Sequence, residues 1–150
     1  MTHFVVDASV AVKWYLPEAE STQATSLLAP GNTLSAPGLI YPEVANVFWK
    51  RVQRGELEPA QARLFLLDFL SSPLSIENSP VLLESAWNIA TRYQRSVYDS
   101  LYLALADDLG AMLVTADRRF YNVLRETNWG GRLLWVGDLD TNARQSSQRF

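Results

Sequence analysis

The sequence predicts an α/β domain built around a mostly parallel sheet. Short β-branched apolar runs alternate with longer stretches of helical periodicity, as expected for strands joined by covering helices. Two of those runs, Val5-Val6-Asp7-Ala8-Ser9 and Val114-Thr115-Ala116-Asp117, end in the same way, at an acid beside a hydroxyl. In open sheets the C-terminal strand edge is where ligands bind, so a shared acidic site is the first functional hypothesis. The length of 150 residues with 48% hydrophobic content suits one compact domain with a sizeable core.

Along the chain, residues 3 to 7 read as a buried strand, and Ser9 is a suitable N-cap for a short helix that Pro17 ends. A second helix is expected over 18 to 29, followed by a turn at Pro30-Gly31-Asn32 and a short strand over 33 to 36. Pro42 stands at a first-turn position, and Val44, Val47, Phe48 and Val52 repeat at helical spacing until Gly55, which places Glu43 in that first turn. Pro59 opens a helix with Ala62, Phe65, Leu66 and Phe69 on one stripe; 74 to 76 is a weak strand; Pro80 opens a helix to about Arg95. The stretch from Val97 to Leu109 is apolar on almost every face, which predicts a core helix stopped by Gly110. A strand over 111 to 115, a helix from Arg118 to about Glu126 and a strand over 133 to 136 complete the pattern, and a polar tail follows Asp140. No internal repeat is evident.

Composition narrows the chemistry. The chain has no cysteine, which excludes disulfides, thiolate metal sites and a thiol nucleophile. Neither a leader-like opening nor an apolar run of membrane-spanning length is present, so a cytoplasmic protein with no membrane role is expected. The net charge of −3 is uneven in origin: with Asp7, Glu43, Asp99 and Asp117 set aside, 12 acids face 13 Lys and Arg. An acidic average therefore leaves nucleic acid open as a partner. Arginines cluster at Arg92 and Arg95 and at Arg118 and Arg119, which are candidate RNA contacts; the alternative is a solvated helix face.

Each of those four acids has a structural explanation, since acids cap helices and favour their first turns. Asp99 is the hardest to explain that way, being the only charge between Val97 and Ala106. Taken together they are more informative, because strand C-termini and helix N-termini share one edge of a parallel sheet. Two carboxylates about 4 Å apart repel by roughly 4 kcal/mol at an effective dielectric near 20, so four together need a cation or raised pKa values. Oxygen ligands alone favour Mg²⁺ or Mn²⁺. Ser9 and Thr115 are candidates to orient Asp7 and Asp117. A metal held by carboxylates can activate water and polarise a phosphoryl group, whereas metal-free RNA cleavage needs an acid-base pair, for which the chain offers only His3.

The ordered motifs Val-Val-Asp-Ala-Ser at 5 to 9, Pro-Glu-Val-Ala-Asn-Val at 42 to 47, Tyr-Asp-Ser-Leu-Tyr-Leu-Ala-Leu-Ala at 98 to 106 and Thr-Ala-Asp-Arg-Arg-Phe at 115 to 120 resemble the PIN domain, and within it the VapC-like toxins. The resemblance implies a Rossmann-like α/β/α sandwich over 1 to 140, with the polar segment 141 to 150 outside the pattern. It further implies endonucleolytic cleavage of RNA with one or two Mg²⁺ or Mn²⁺ ions, Asp7, Glu43, Asp99 and Asp117 as catalytic and metal-binding acids, and Thr115 as supporting hydroxyl. Its members are typically homodimers held inactive by a small antitoxin whose C-terminal segment enters the active-site groove. Trp14, Tyr41, Trp49 and Trp87 are candidate dimer contacts, the alternative for each being the core. Two further readings keep the same fold: an RNA-processing nuclease outside a toxin-antitoxin system, and a binding module without turnover. A phosphoacceptor domain is disfavoured because its late lysine is missing, and a dinucleotide binder because no G-x-G-x-x-G follows the first strand.

Overall fold

Val5 and Val6 are fully buried, and the strand that carries them lies at the centre of a parallel sheet with neighbours on both sides. That position explains why the first strand reads as a continuous apolar run rather than an alternating one. The computed structural model describes residues 2–78 and 80–141. Among them, β1 (Thr2–Val6), β2 (Asn32–Ala36), β3 (Leu74–Ile76), β4 (Met112–Thr115) and β5 (Leu133–Trp135) pair in the order β3-β2-β1-β4-β5, all parallel. The helices are α1 (Ala8–Ala11), α2 (Ser21–Ser26), α3 (Ile40–Gln53), α4 (Pro59–Leu70), α5 (Leu82–Tyr93), α6 (Val97–Leu109) and α7 (Arg118–Leu124).

The strand order reverses between β1 and β4, because β1 to β3 progress toward one edge and β4 and β5 toward the other. Right-handed crossovers then put α1 to α4 on one face and α5 to α7 on the other. The result is the α/β/α sandwich that the motifs imply, with a switch point at the C-terminal ends of β1 and β4.

On the first face, Tyr15, Phe48, Phe65 and Phe69 pack ring against ring, with centroids 5.6 to 6.3 Å apart. Trp14 and Tyr41 join through Phe69. Trp14 also donates its indole N–H to the Ala24 carbonyl at 2.8 Å. These two rings are therefore partly buried in the fold, whereas Trp49 and Trp87 are exposed. On the opposite face α6 is buried at Ser100 and from Tyr102 to Ala106, as its largely apolar pattern predicts, and Gly110 ends it with φ of 64°.

Several boundaries differ from the sequence expectation. Asp7, not Ser9, caps α1, because the chain turns one residue beyond Val6 and the Asp7 carboxylate accepts from the Val10 N–H. The helix expected over 18 to 29 contracts to α2, since Glu20 adopts a left-handed conformation and Lys13 holds the preceding turn through Glu18 and the Ala19 carbonyl. The α3 helix begins at Ile40, two residues before Pro42, which is compatible because its first i→i−4 donor is the Glu43 N–H. β5 stops at Trp135 and the chain passes into a 3-10 turn at Val136–Asp138. Beyond Thr141, the polar tail lies outside the described residues.

Candidate active site

Register brings the first and last acids together. β1 pairs with β4 so that Val6 stands against Val114, which sets Asp7 beside Thr115. The Thr115 hydroxyl donates to Asp7 Oδ2 at 2.6 Å, and the Ser9 hydroxyl donates to Oδ1 at 2.5 Å. Each hydroxyl in turn accepts a backbone N–H from the end of β4: Ala116 donates to Ser9 at 3.0 Å and Asp117 to Thr115 at 3.1 Å. Asp7 is thus clamped at both oxygens by a relay that crosses the switch point. Ser9 and Thr115 both support Asp7; Asp117 meets Thr115 only through its backbone.

Asp117 caps α7, accepting from the Phe120 N–H at 3.1 Å. Asp99 occupies the first turn of α6, whose cap is Ser96, and is partly exposed although most of the helix is buried. Glu43 lies in the first turn of α3. The sheet edge and the helices on both faces therefore deliver the four acids to one end of the molecule.

Electrostatics shows that the carboxylates feel one another. Burial pushes the Asp7 carboxyl up to about 6, with Asp99 adding to the rise, although its hydroxyl and amide donors oppose it. Burial, then Asp99 and Asp7, push Glu43 up to about 7. Asp99 is raised by burial and by Asp117, partly offset by Ser96 and Arg95. Asp7, Asp99 and Asp117 line a cleft of about 10 Å³ with Tyr102 and Phe120, about the space of one water.

Tyr102 is a member of this site that sequence reasoning did not single out. It stands three residues after Asp99 on the same helix face and is 1% exposed. Its hydroxyl is raised by burial and by the nearby negative charge of Glu43, Asp7 and Asp99. Neither that hydroxyl nor Glu43 Oε1 makes a hydrogen bond of ordinary geometry, yet the hydroxyl is close enough to Glu43 to favour its charged form. The spacing in Asp99-Ser-Leu-Tyr102 was the available signal; a tyrosine in an apolar run reads first as core.

The donor set fits a hard divalent cation: it is all oxygen, its pKa values are raised where charges crowd, and Glu43 Oε1 is buried without a partner. As the side chains stand, no three acidic or histidine residues among those described are gathered tightly enough to hold an ion. Of the arginines, Arg95 acts on Asp99. Arg118 lies over the Trp135 ring at 3.7 Å, Arg92 is 5.6 Å from the Tyr93 ring centre, and Arg119 is exposed. His3 Nε2 pairs with the Ser35 hydroxyl at 2.8 Å in the sheet, consistent with a structural histidine. No described helix is long and apolar enough to cross a membrane.

The PIN domain pattern matches residues 4–125. Ribonuclease VapC3 of Pyrobaculum aerophilum is 34% identical over 117 residues, covering 77% of this chain and 89% of that protein. Ribonuclease VapC9 of Mycobacterium tuberculosis is 36% identical over 117 residues, covering 77% and 86%. Among solved structures, PAE2754 from Pyrobaculum aerophilum superposes with a TM-score of 0.71 at 24% identity over 98% of this chain and 91% of the other. VapBC2 from Rickettsia felis, bound to a promoter DNA fragment, gives 0.63 at 18% identity over 89% and 98%. These structural likenesses concern the fold, whereas the family pattern and the sequence identities concern descent, and by them the chain belongs to the PIN-domain family, among its VapC ribonucleases.

Proposed function

We propose that this protein is a divalent-metal-dependent endoribonuclease, the toxin of a VapBC-type module, acting in the cytoplasm. The observation that carries the reading is the acidic cluster at the switch point, with Asp7 held at both oxygens by hydroxyls. Asp7, Glu43, Asp99 and Asp117 are the residues that would hold Mg²⁺ or Mn²⁺. When bound, such an ion supplies the positive charge and water activation that phosphodiester hydrolysis needs.

The chain's own groups do the rest. Ser9 and Thr115 fix the Asp7 carboxylate so that it cannot rotate away. Tyr102, buried beside the acids, forms part of the wall of the cleft. Arg95 and the exposed Arg92, Arg118 and Arg119 offer positive charge for the RNA backbone, which the acids alone would repel.

The partners in this reading are RNA, a small antitoxin and a second copy of the chain. Support for the antitoxin is the kinship with proteins named VapC. Support for self-association is exposed apolar side chains, Leu67 and Leu70 on α4 and Leu83 and Trp87 on α5. Light scattering should give about twice the chain mass of 16.9 kDa; a monomer at micromolar concentration would count against the dimer.

The deciding experiment is cleavage of labelled RNA with Mg²⁺, with Mn²⁺ and with EDTA, followed by mass spectrometry of the new ends. The reading expects cleavage only with metal, leaving 5′-phosphate and 3′-hydroxyl ends. Cyclic phosphate ends that persist in EDTA and in Asp99→Asn would sink it, and no cleavage under any condition would favour a binding module.

A further inference from the structure

The four acids do not reach the site with equal support. Asp7 and Asp117 are themselves the caps of α1 and α7, and Asp99 sits in a turn capped by Ser96. Only α3, which carries Glu43, starts without a side-chain cap, and an uncapped first turn is prone to fray. The body of α3 is anchored by Ile40 and Val44, both fully buried, and by Phe48. Its start rests on two i→i−3 bonds, from the Ile40 N–H to the Pro37 carbonyl at 3.0 Å and from the Tyr41 N–H to the Gly38 carbonyl at 3.2 Å. Whatever holds the Pro37-Gly38 turn therefore holds the first turn of α3, and Glu43 with it.

That turn is gripped from 40 residues away. β2 and the edge strand β3 stay in step one residue past the end of β3, where the Glu77 N–H donates to the Ala36 carbonyl at 3.0 Å. Two residues on, the Gly38 N–H faces the same neighbour, and there it donates to the Asn78 Oδ1 at 3.0 Å, so a side chain takes the next rung of the ladder. The fit is close as well as polar: a Cβ on Gly38 would stand 2.7 Å from Asn78 Oδ1 and 3.1 Å from Nδ2, which means the carboxamide lies directly against the glycine Cα. Gly38 is thus held at its N–H by Asn78 while its carbonyl receives Tyr41, two residues before Glu43.

We propose that Asn78 is the positioning residue of Glu43, an outside cap for α3 that acts through Gly38 and fixes where this carboxylate stands among the other three. The inference rests on the ribonuclease reading above, in which Glu43 is one of the residues that would hold the ion. Glu43 Oε1 is buried without a partner, so no hydrogen bond of its own keeps that oxygen in place. Its position depends on the backbone beneath it.

The test compares the wild type with Asn78→Ala, Asn78→Asp, Gly38→Ala and the double variant. The readouts are calorimetric titration with Mn²⁺, amide hydrogen exchange and melting of the metal-free protein, and kcat and KM for cleavage of a labelled RNA. Loss of an outlying support predicts that Asn78→Ala weakens Mn²⁺ about three- to tenfold and lowers kcat by a similar factor, with KM little changed. Exchange at the Tyr41 and Glu43 amides should quicken while the melting temperature stays within about 2 °C of the wild type, because the body of α3 remains buried. Asn78→Asp keeps an oxygen that accepts the same N–H and should restore affinity, kcat and protection. Gly38 is not at positive φ, so Gly38→Ala disturbs only the space that the carboxamide fills; alone it should match Asn78→Ala, and in the double variant it should add nothing. Wild-type Mn²⁺ affinity and kcat in Asn78→Ala would overturn the proposal, whether or not the melting temperature falls, because Asn78 would then only tie two loops together. An Asn78→Asp variant as impaired as Asn78→Ala would overturn it too. A wild-type protein that binds no Mn²⁺ and cleaves no RNA would instead remove the ribonuclease reading, and this inference with it.

Discussion

Replacing Asp7 with Asn should make the metal-free protein more stable at pH 8 while abolishing its activity. The carboxyl stands at about 6 in the folded chain against an ordinary 3.8, chiefly because it is buried. At about 1.4 kcal/mol per tenfold change in proton affinity, keeping it ionised costs the fold roughly 3 kcal/mol above pH 7. The folded state binds the proton more tightly than the unfolded chain, so this group's contribution to stability is complete below its unfolded pKa of 3.8 and is lost as pH rises toward 6. Asn keeps the cap on α1 and removes the charge. Its amide matches one of the two hydroxyl donors less well, which costs about 1 kcal/mol, so a net gain of roughly 1 to 2 kcal/mol remains. For a chain of this size that is about 2 to 8 °C in melting temperature. Urea and thermal unfolding in EDTA at pH 4.5 and pH 8 read the effect directly. The variant's lead should be present at pH 8 and largely gone at pH 4.5, and Mn²⁺ should stabilise the wild type but not the variant. A variant less stable than the wild type by the same amount at both pH values would refute the reasoning, because Asp7 would then be a helix cap whose charge is not penalised.

Three further outcomes follow from the same geometry. Thr115→Val removes the donor to Asp7 Oδ2 and the acceptor of the Asp117 N–H at a fully buried position; it should cost about 1 to 3 kcal/mol in urea unfolding and lower cleavage at least about tenfold, and unchanged cleavage would show that Asp7 does not need the clamp. Tyr102→Phe removes a hydroxyl that lowers the Glu43 carboxyl against burial and its acidic neighbours; with it gone, Glu43 rises above about 7, and the acidic limb of the pH–rate profile should move to higher pH, whereas an unmoved limb would mean that Glu43 ionisation is not what the profile reports. Gly130→Ala would place a Cβ 2.1 Å from the Arg125 carbonyl oxygen, a backbone atom that cannot step aside; a loss of about 1 to 3 kcal/mol in thermal unfolding is expected, and a neutral result would mean that the turn before β5 is slack.

The sequence by itself determined the α/β class, the parallel sheet and which residues are the site candidates. Those features are local: β-branched runs, helical spacing in α3 and α4, the uniformly apolar stretch of α6, and acids at the points where strands end or helices begin. A parallel sheet puts all such points on one edge, so Asp7, Glu43, Asp99 and Asp117 could be assigned to one end of the molecule without knowing the strand order. What only the tertiary structure decided depends on register and packing between distant segments. The Val6–Val114 pairing makes Thr115 and Ser9 partners of the same carboxylate, where the sequence offered the two hydroxyls to Asp7 and Asp117 together and left Ser9 open as a helix cap. Packing of α6 against the acids turns Tyr102 from an anonymous core aromatic into a wall of the site and leaves its neighbour Tyr98 exposed. The same holds for Trp14 and Tyr41, partly buried against Phe69 because α4 packs over the segment after α1 and over α3, not because of anything in their own neighbourhoods along the chain. Periodicity reports which face a residue is on; only three-dimensional packing reports what stands opposite that face.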